Sequence, residues 1–327
     1  MALFTKRGAL AVILVAIGLI AAPARAQDSR PGTGTTIARE AARPAAAAHG
    51  MVVAQERIAA EIGRDVLARG GNAVDAAVAT GFAMAVTYPR AGNIGGGGFM
   101  LIHLADGNRD ISIDYRETAP RAATRDMFLG PDGKPDPARS RDSALGIGVP
   151  GTVAGLTLAL EKYGSGQFTL AQLLQPAIAL ARDGFVVADD GADTLPNWHK
   201  RLARWPASAK IFSRDDGSSL REGDRLIQTD LAATLEAIAA QGARGFYEGP
   251  VADKLAQGIQ AAGGIITRDD LKSYQAILRE PVRGSYRGYD IVSMPLPSSG
   301  GVVLIETLNM LEGFALRDLR QGSAPSL

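Results

Sequence analysis

The sequence predicts an α+β fold built as one compact body, and three observations carry that reading. Helix-like and strand-like runs alternate irregularly from Met51 onward. Neither a repeat of roughly 20 to 50 residues nor a Pro/Ser-rich linker divides them. The 327 residues are 46% hydrophobic, a content that allows a sizeable buried core.

Charge and composition exclude several functions. Lys and Arg number 35 against 34 Asp and Glu, a formal charge of +1 that offers no grip on nucleic acid or an anionic membrane. The absence of cysteine removes disulfides, thiolate nucleophiles, zinc knuckles and Cys-ligated iron–sulfur clusters. His49, His103 and His199 stand far apart in no metal-binding spacing, so neither a metal nor a cofactor is expected from this chain.

The N-terminus is predicted to be an export signal. Lys6 and Arg7 precede an apolar run over residues 9–22, and Ala24-Arg25-Ala26 has the small-residue spacing of a cleavage site after Ala26. A membrane anchor needs about 20 apolar residues, and Pro23 interrupts this run first. Removing residues 1–26 takes away Lys6, Arg7 and Arg25 and no acid, leaving 32 basic against 34 acidic residues. Residues 27–50, rich in Ala, Pro, Gly and Arg, are expected to be a flexible leader, and residues 51–327 the folded region. No membrane contact is expected after signal removal.

Taken in order, Ile58, Ile62 and Val66 at i, i+4 and i+8, stopped by Gly70-Gly71, predict an amphipathic helix over residues 57–69. Asn72 caps a second helix to about Val86, whose small residues nearly all round predict burial against close neighbours. Phe99–Leu104 is a continuous apolar run and Ile111, Ile113 and Tyr115 alternate with polar residues. With the turn chemistry of Asp106-Gly107-Asn108 between them, these predict a hairpin whose first strand is buried on both faces. Alternation then sends Ser112, Asp114 and Arg116 to the opposite face together.

A helix opens at Thr152, and Thr169 with Gln172 and Thr267 with Asp270 have capping-box spacing, each opening another. Residues 230–241 and 250–262 read as two further helices. Strand-like runs at 276–286 and 289–294 meet across Arg287-Gly288, a loop covers 295–301, and 302–311 is an apolar helix expected in the core. The chain stops soon after it, which predicts a fragment or the leading part of a longer product.

Local chemistry leaves readings open. Gly146-Ile147-Gly148-Val149-Pro150-Gly151 fits G-x-G-x-x-G, but the preceding residues 140–143 are too polar for the buried strand a dinucleotide site requires. Gly95-Gly96-Gly97-Gly98 marks either close passage beside another backbone, which is favoured, or direct ligand contact. Ser298-Ser299-Gly300-Gly301 suits an anion or a plain helix cap. Arg116 offers a planar fork for a carboxylate, and spacing alone favours an ion pair with Asp114 instead. His103, inside an apolar run, reads as a satisfied core residue. No G-x-S-x-G elbow or P-loop occurs.

Five motifs in series are more specific: Gly70-Gly71-Asn72-Ala73-Val74-Asp75-Ala76-Ala77, Gly92-Asn93-Ile94-Gly95-Gly96-Gly97-Gly98-Phe99-Met100, Asp114-Tyr115-Arg116-Glu117-Thr118-Ala119-Pro120, Pro150-Gly151-Thr152-Val153-Ala154-Gly155, and Pro297-Ser298-Ser299-Gly300-Gly301. From about His49 to Gly322 the sequence resembles the γ-glutamyltransferase (γ-glutamyl transpeptidase) family, in particular its larger, N-terminal subunit.

The resemblance implies an N-terminal-nucleophile hydrolase fold, a four-layer αββα sandwich of which this chain holds the large-subunit half. It implies a self-cleaving precursor whose small subunit supplies a threonine as nucleophile and, through its amine, base. Such an enzyme moves the γ-glutamyl group of glutathione or a related amide to water or to an amino acid or dipeptide. The motif arginine falls on Arg116, which is then expected to bind the substrate α-carboxylate, a contact worth about 1.5–3 kcal/mol. No catalytic residue is expected in this chain, which alone is predicted to be inactive. Its partner is the small subunit of the same precursor, and its location the periplasm or the exterior. Two other readings are a glutaryl-type β-lactam acylase of the same superfamily and a non-catalytic periplasmic protein that captures carboxylates through Arg116.

Overall fold

The computed structural model describes residues 45–316. The predicted signal peptide, residues 27–44 of the leader and residues 317–327 lie outside the described residues. The chain divides into two units, Met1–Ala48 and His49–Leu327, and the second carries all the secondary structure described here.

In chain order that unit holds helices α1 (Arg57–Ala68) and α2 (Ala73–Thr87), strands β1 (Phe99–Leu104) and β2 (Arg109–Asp114), helix α3 (Pro137–Arg141), a 3-10 turn at Ala144–Gly146, and helices α4 (Thr152–Tyr163) and α5 (Leu170–Asp183). Strand β3 (Phe185–Val186), helices α6 (Asp189–Leu202) and α7 (Pro206–Phe212), and strand β4 (Arg225–Leu226) follow. Helices α8 (Thr229–Gln241), α9 (Arg244–Tyr247), α10 (Gly249–Ala261) and α11 (Arg268–Ser273) come next. The last elements are β5 (Ile277–Arg279), β6 (Val282–Tyr286), β7 (Tyr289–Ser293) and α12 (Gly300–Glu312).

Caps fix the helix starts that the sequence announces. Asn72 Oδ1 accepts from the amides of Val74 and Asp75 at 2.9 and 3.0 Å, while Asp75 returns the bond to the Asn72 amide at 2.9 Å. Thr169 with Gln172 and Thr267 with Asp270 form the same reciprocal box at α5 and α11. Helix α2 packs against α1, α4 and α5, and α5 against α8, so α2 is buried nearly all round, as its small residues require. Phe82, Leu173, Leu174, Leu235 and Ile238 form the centre of this layer.

Strands β1, β2 and β5 form an antiparallel sheet in that order, with Phe99 opposite Asp114 and Ser112 opposite Arg279. Ile102 and Ile113 face the helices, joined by the partly buried Met100, Leu104 and Ile111. The expected burial of β1 on both faces is not found. Strand alternation brings only one side onto the helical layer, and Leu101 stays 42% exposed on the other.

Two further expectations are corrected. The run over 276–286 is two strands in different sheets, because Pro281 has no amide for a continuous ladder. Strands β6 and β7 then form their own hairpin, with Arg287 and Gly288 at φ of 49° and 82° in the turn. Helix α12 lies against this hairpin, but of its residues only Gly301 is buried, and Met310 is 66% exposed. It is apolar without being a core helix of the described chain.

Helix α11 is tied to the segment that follows β2. Asp270 Oδ1 accepts from the Arg121 amide at 3.0 Å, and Oδ2 accepts from the amide and hydroxyl of Thr267 at 2.9 and 2.7 Å. Burial opposes the charged form of Asp270, yet these donors outweigh it and hold the carboxyl below the usual carboxylate range.

Two predictions follow from this packing. Phe82→Ala, at a fully buried site on α2, is expected to cost about 3–5 kcal/mol in urea denaturation of the full-length protein. For Asp270, a folded-state value below the unfolded one contributes stability that is complete above about pH 4 and is lost as pH falls through the folded value. Asp270→Asn should therefore be less stable than wild type near neutral pH, with the gap closing below about pH 4. A gap that does not vary with pH would contradict the assignment.

Candidate functional site

Strand β2 ends at Asp114, and its ladder with β1 extends one residue further through paired bonds between Gly98 and Tyr115, of 3.1 and 3.2 Å. Asp114 is buried. Its Oδ2 accepts from Arg279 Nε on β5 at 2.7 Å, and its Oδ1 accepts from the backbone amide of Arg116 at 3.0 Å. The ion pair between Asp114 and Arg116 that spacing favours is therefore not formed. Both carboxylate oxygens are engaged, and the cation paired with Asp114 comes from 165 residues away.

Ser112 and Asp114 share the expected face but are covered rather than solvated. They occupy the middle strand of three, where the Ser112 hydroxyl donates to the Arg279 carbonyl at 2.8 Å and the Arg279 side chain reaches Asp114. Arg116, beyond the strand end, is exposed. Its Cζ lies 5.9 Å from the Phe99 ring centroid, and Phe99 pairs across from Asp114. Among the described residues its guanidinium forms no ion pair and donates no hydrogen bond.

The other side of the Arg116 backbone is also held. The Tyr274 hydroxyl donates to the Arg116 carbonyl at 2.8 Å. Tyr274 stacks on Tyr247, with ring centroids 5.7 Å apart and planes at 9°. The Tyr247 hydroxyl donates to the Pro150 carbonyl at 2.8 Å and accepts from the Ala154 amide at 3.3 Å, fixing the pair to the start of α4. Burial pushes the Tyr115 phenol up to about 12 and raises those of Tyr247 and Tyr274 as well. All three are therefore neutral hydroxyl donors at physiological pH.

Glycines allow these backbones to meet. A Cβ on Gly97 would stand 2.5 Å from the Tyr115 carbonyl oxygen, and one on Gly98 would stand 2.8 Å from the Tyr115 ring. Side chains on Gly151 and Gly155 would strike Tyr115 too. Within the glycine run before β1, Gly97 thus passes close beside another backbone and Gly98 against a ring, while a Cβ on Gly96 would meet the Asn93 side chain and one on Gly95 would meet nothing within 4 Å. The Gly96 carbonyl accepts from the amides of Gly151 and Thr152 at 2.7 and 3.1 Å. The first amides of α4, which a dinucleotide reading of the G-x-G-x-x-G segment needs free, are bound by the chain itself.

His103 corrects another expectation. It is exposed, and its Nδ1 lies 2.8 Å from Asp110 Oδ1, opposite it on β2. Arg283 of β6 reaches Asp110 Oδ2 at 2.8 Å. The bond to His103 and the Arg283 cation together hold the Asp110 carboxyl below its usual range. At α12, Ser298 Oγ accepts from the Gly300 amide at 3.3 Å, while Ser299 at the N-cap makes no side-chain cap bond.

Sequence reasoning missed Arg279, Tyr274 and Tyr247. Each reaches a residue more than 90 positions away, Arg279 the Asp114 carboxylate and the two tyrosines a backbone carbonyl, and no local period marks such a partner.

Residues 59–327 match the family described as Gamma-glutamyltranspeptidase. The Glutathione hydrolase proenzyme of Escherichia coli (strain K12) is 45% identical over 324 residues, covering 99% of this chain and 55% of that protein. The Acylase ACY 1 proenzyme of Pseudomonas sp. (strain V22) is 42% identical over 87% of this chain and 51% of its own length. The crystal structure of Helicobacter pylori gamma-glutamyltranspeptidase is similar at a TM-score of 0.83 and 46% identity, covering 87% of this chain and 80% of that one. This chain spans about half the length of the curated relatives it matches. Of the four-layer αββα fold of these hydrolases it carries the large-subunit part, and it belongs to the gamma-glutamyltranspeptidase family.

Proposed function

We propose that the protein carrying this chain transfers the γ-glutamyl group of glutathione and related γ-glutamyl amides to water or to an amino acid or dipeptide, with Arg116 binding the donor's α-carboxylate. The observation that carries the reading is the Arg116 guanidinium, which forms no ion pair and donates no hydrogen bond among the described residues while its backbone is held on both sides. A planar fork of five donors suits a carboxylate held by two parallel bonds. Family membership supports the reaction class, and the name of the Escherichia coli relative supports glutathione as donor.

In this reading a threonine hydroxyl from the small subunit of the same precursor, outside this chain, adds to the γ-carbonyl carbon. The amide C–N bond breaks, the leaving amine takes a proton, and water or an acceptor amine then releases the acyl group from the threonine ester. The α-carboxylate remains charged throughout, so Arg116 contributes binding and orientation and transfers no proton. Exposed Leu101, Ile277 and Leu278 on the sheet and Val303 and Met310 on α12 supply apolar surface for that subunit. The N-terminal signal pattern supports export to the periplasm or the exterior.

The acylase relative favours a second reading, in which the acyl group is of the glutaryl type and lacks an α-amino group. Two experiments test these readings. Arg116→Lys in the full-length enzyme is expected to raise KM for γ-glutamyl-p-nitroanilide about tenfold with kcat little changed, because a point charge replaces a fork. An unchanged KM removes Arg116 from the site. In competition, γ-glutamyl amides should turn over and glutaryl amides should not; the opposite result establishes the acylase.

A further inference from the structure

The Tyr274 hydroxyl sits where it controls how the candidate carboxylate fork is presented. Arg116 lies just past the end of a strand, where the sheet ladder no longer fixes its peptide planes. Two bonds replace the ladder: its amide donates to Asp114 Oδ1 at 3.0 Å, and its carbonyl accepts from Tyr274 at 2.8 Å. The Asp114 bond leaves the carbonyl plane free to turn, and Tyr274 closes that freedom. Its ring is in turn stacked on Tyr247, which is bound to the Pro150 carbonyl at the start of α4.

We propose that Tyr274 is a positioning residue of the γ-glutamyl site, acting on substrate affinity through the backbone of Arg116. The inference rests on the reading of Arg116 as the holder of the α-carboxylate. Two-bond recognition of a carboxylate tolerates errors of only about 0.5 Å and 10–20°. A small rotation of the Arg116 peptide, carried to the end of a long side chain, exceeds that. A tyrosine phenol is protonated at working pH, and burial raises that of Tyr274 further, so the hydroxyl remains a donor. Arg279 also shapes this backbone, but removing it would strand the buried Asp114 carboxylate and confuse positioning with unfolding. Tyr274→Phe deletes one hydroxyl and leaves the ring stack in place.

The test is a kinetic cycle in the full-length enzyme with γ-glutamyl-p-nitroanilide, comparing wild type, Tyr274→Phe, Arg116→Ala and the double variant, with thermal midpoints measured alongside. Tyr274→Phe is expected to raise KM about fivefold with kcat within about twofold of wild type. In the Arg116→Ala background the same change should move KM by less than about twofold, since the fork it positions is gone. Tyr247→Phe is the second variant, should Tyr274→Phe fold poorly. It loosens the stack from Pro150 and is expected to raise KM less, again only when Arg116 is present. A lowered midpoint with unchanged KM, a fall in kcat alone, or an equal KM effect in both backgrounds overturns the positioning role. If Arg116→Ala raises KM and neither tyrosine variant does, this inference fails alone. If Arg116→Ala leaves KM unmoved, the reading of Arg116 fails and this inference with it.

Discussion

The buried Asp114 carboxylate, divided between the Arg279 guanidinium and the Arg116 amide, is the constraint on which the candidate site depends. A carboxylate this deep is tolerated only when its charge is met, and Arg279 meets it from a strand 165 residues later in the chain. The second oxygen is then free to hold the Arg116 amide. Asp270 adds a bond to the Arg121 amide, and Tyr274 one to the Arg116 carbonyl. Residues 267–279 thus brace residues 114–121 along their length, and what is fixed is the main chain, with the Arg116 guanidinium left over.

Such bracing works only where backbones approach closely. Gly97, Gly98, Gly151 and Gly155 all face Tyr115, whose neighbours would have to move if any of them carried a Cβ. Each glycine costs folding about 0.5–1 kcal/mol in chain entropy relative to alanine. The return is a main-chain web in which the Gly96 carbonyl satisfies the first amides of α4 and the Tyr115 peptide closes on Gly98. Gly97, Gly98, Gly151 and Gly155 therefore serve the candidate site by packing.

This division explains what was legible in the sequence. Helix starts were, because a capping box is a local exchange between residues three apart, as at Asn72, Thr169 and Thr267. The hairpin of β1 and β2 was, because its turn residues and alternation are local too. Arg116 was reached through its motif, since spacing alone favoured a partner that Arg279 in fact occupies. Asp114 with Arg279, and Arg116 with Tyr274, were not legible, since a contact across more than 150 residues leaves no period to read. Hydropathy also misled for β1 and α12, because an apolar pattern does not by itself say which residues this chain buries.

The exposure of Arg116 fits a binding role better than a structural one. A guanidinium with a structural role is paired with a carboxylate, as the half-buried Arg279 is with Asp114 on the neighbouring strand. An exposed, unpaired one contributes little to folding and keeps its hydration. Under the proposed reading, an incoming α-carboxylate would exchange water for a charge-assisted pair, and ordering a free arginine side chain for it costs up to about 2 kcal/mol. Fixing the peptide on either side of Arg116 sets the direction from which its side chain starts, and under the proposed reading this would link the packing of α11 and β5 to affinity at the strand end.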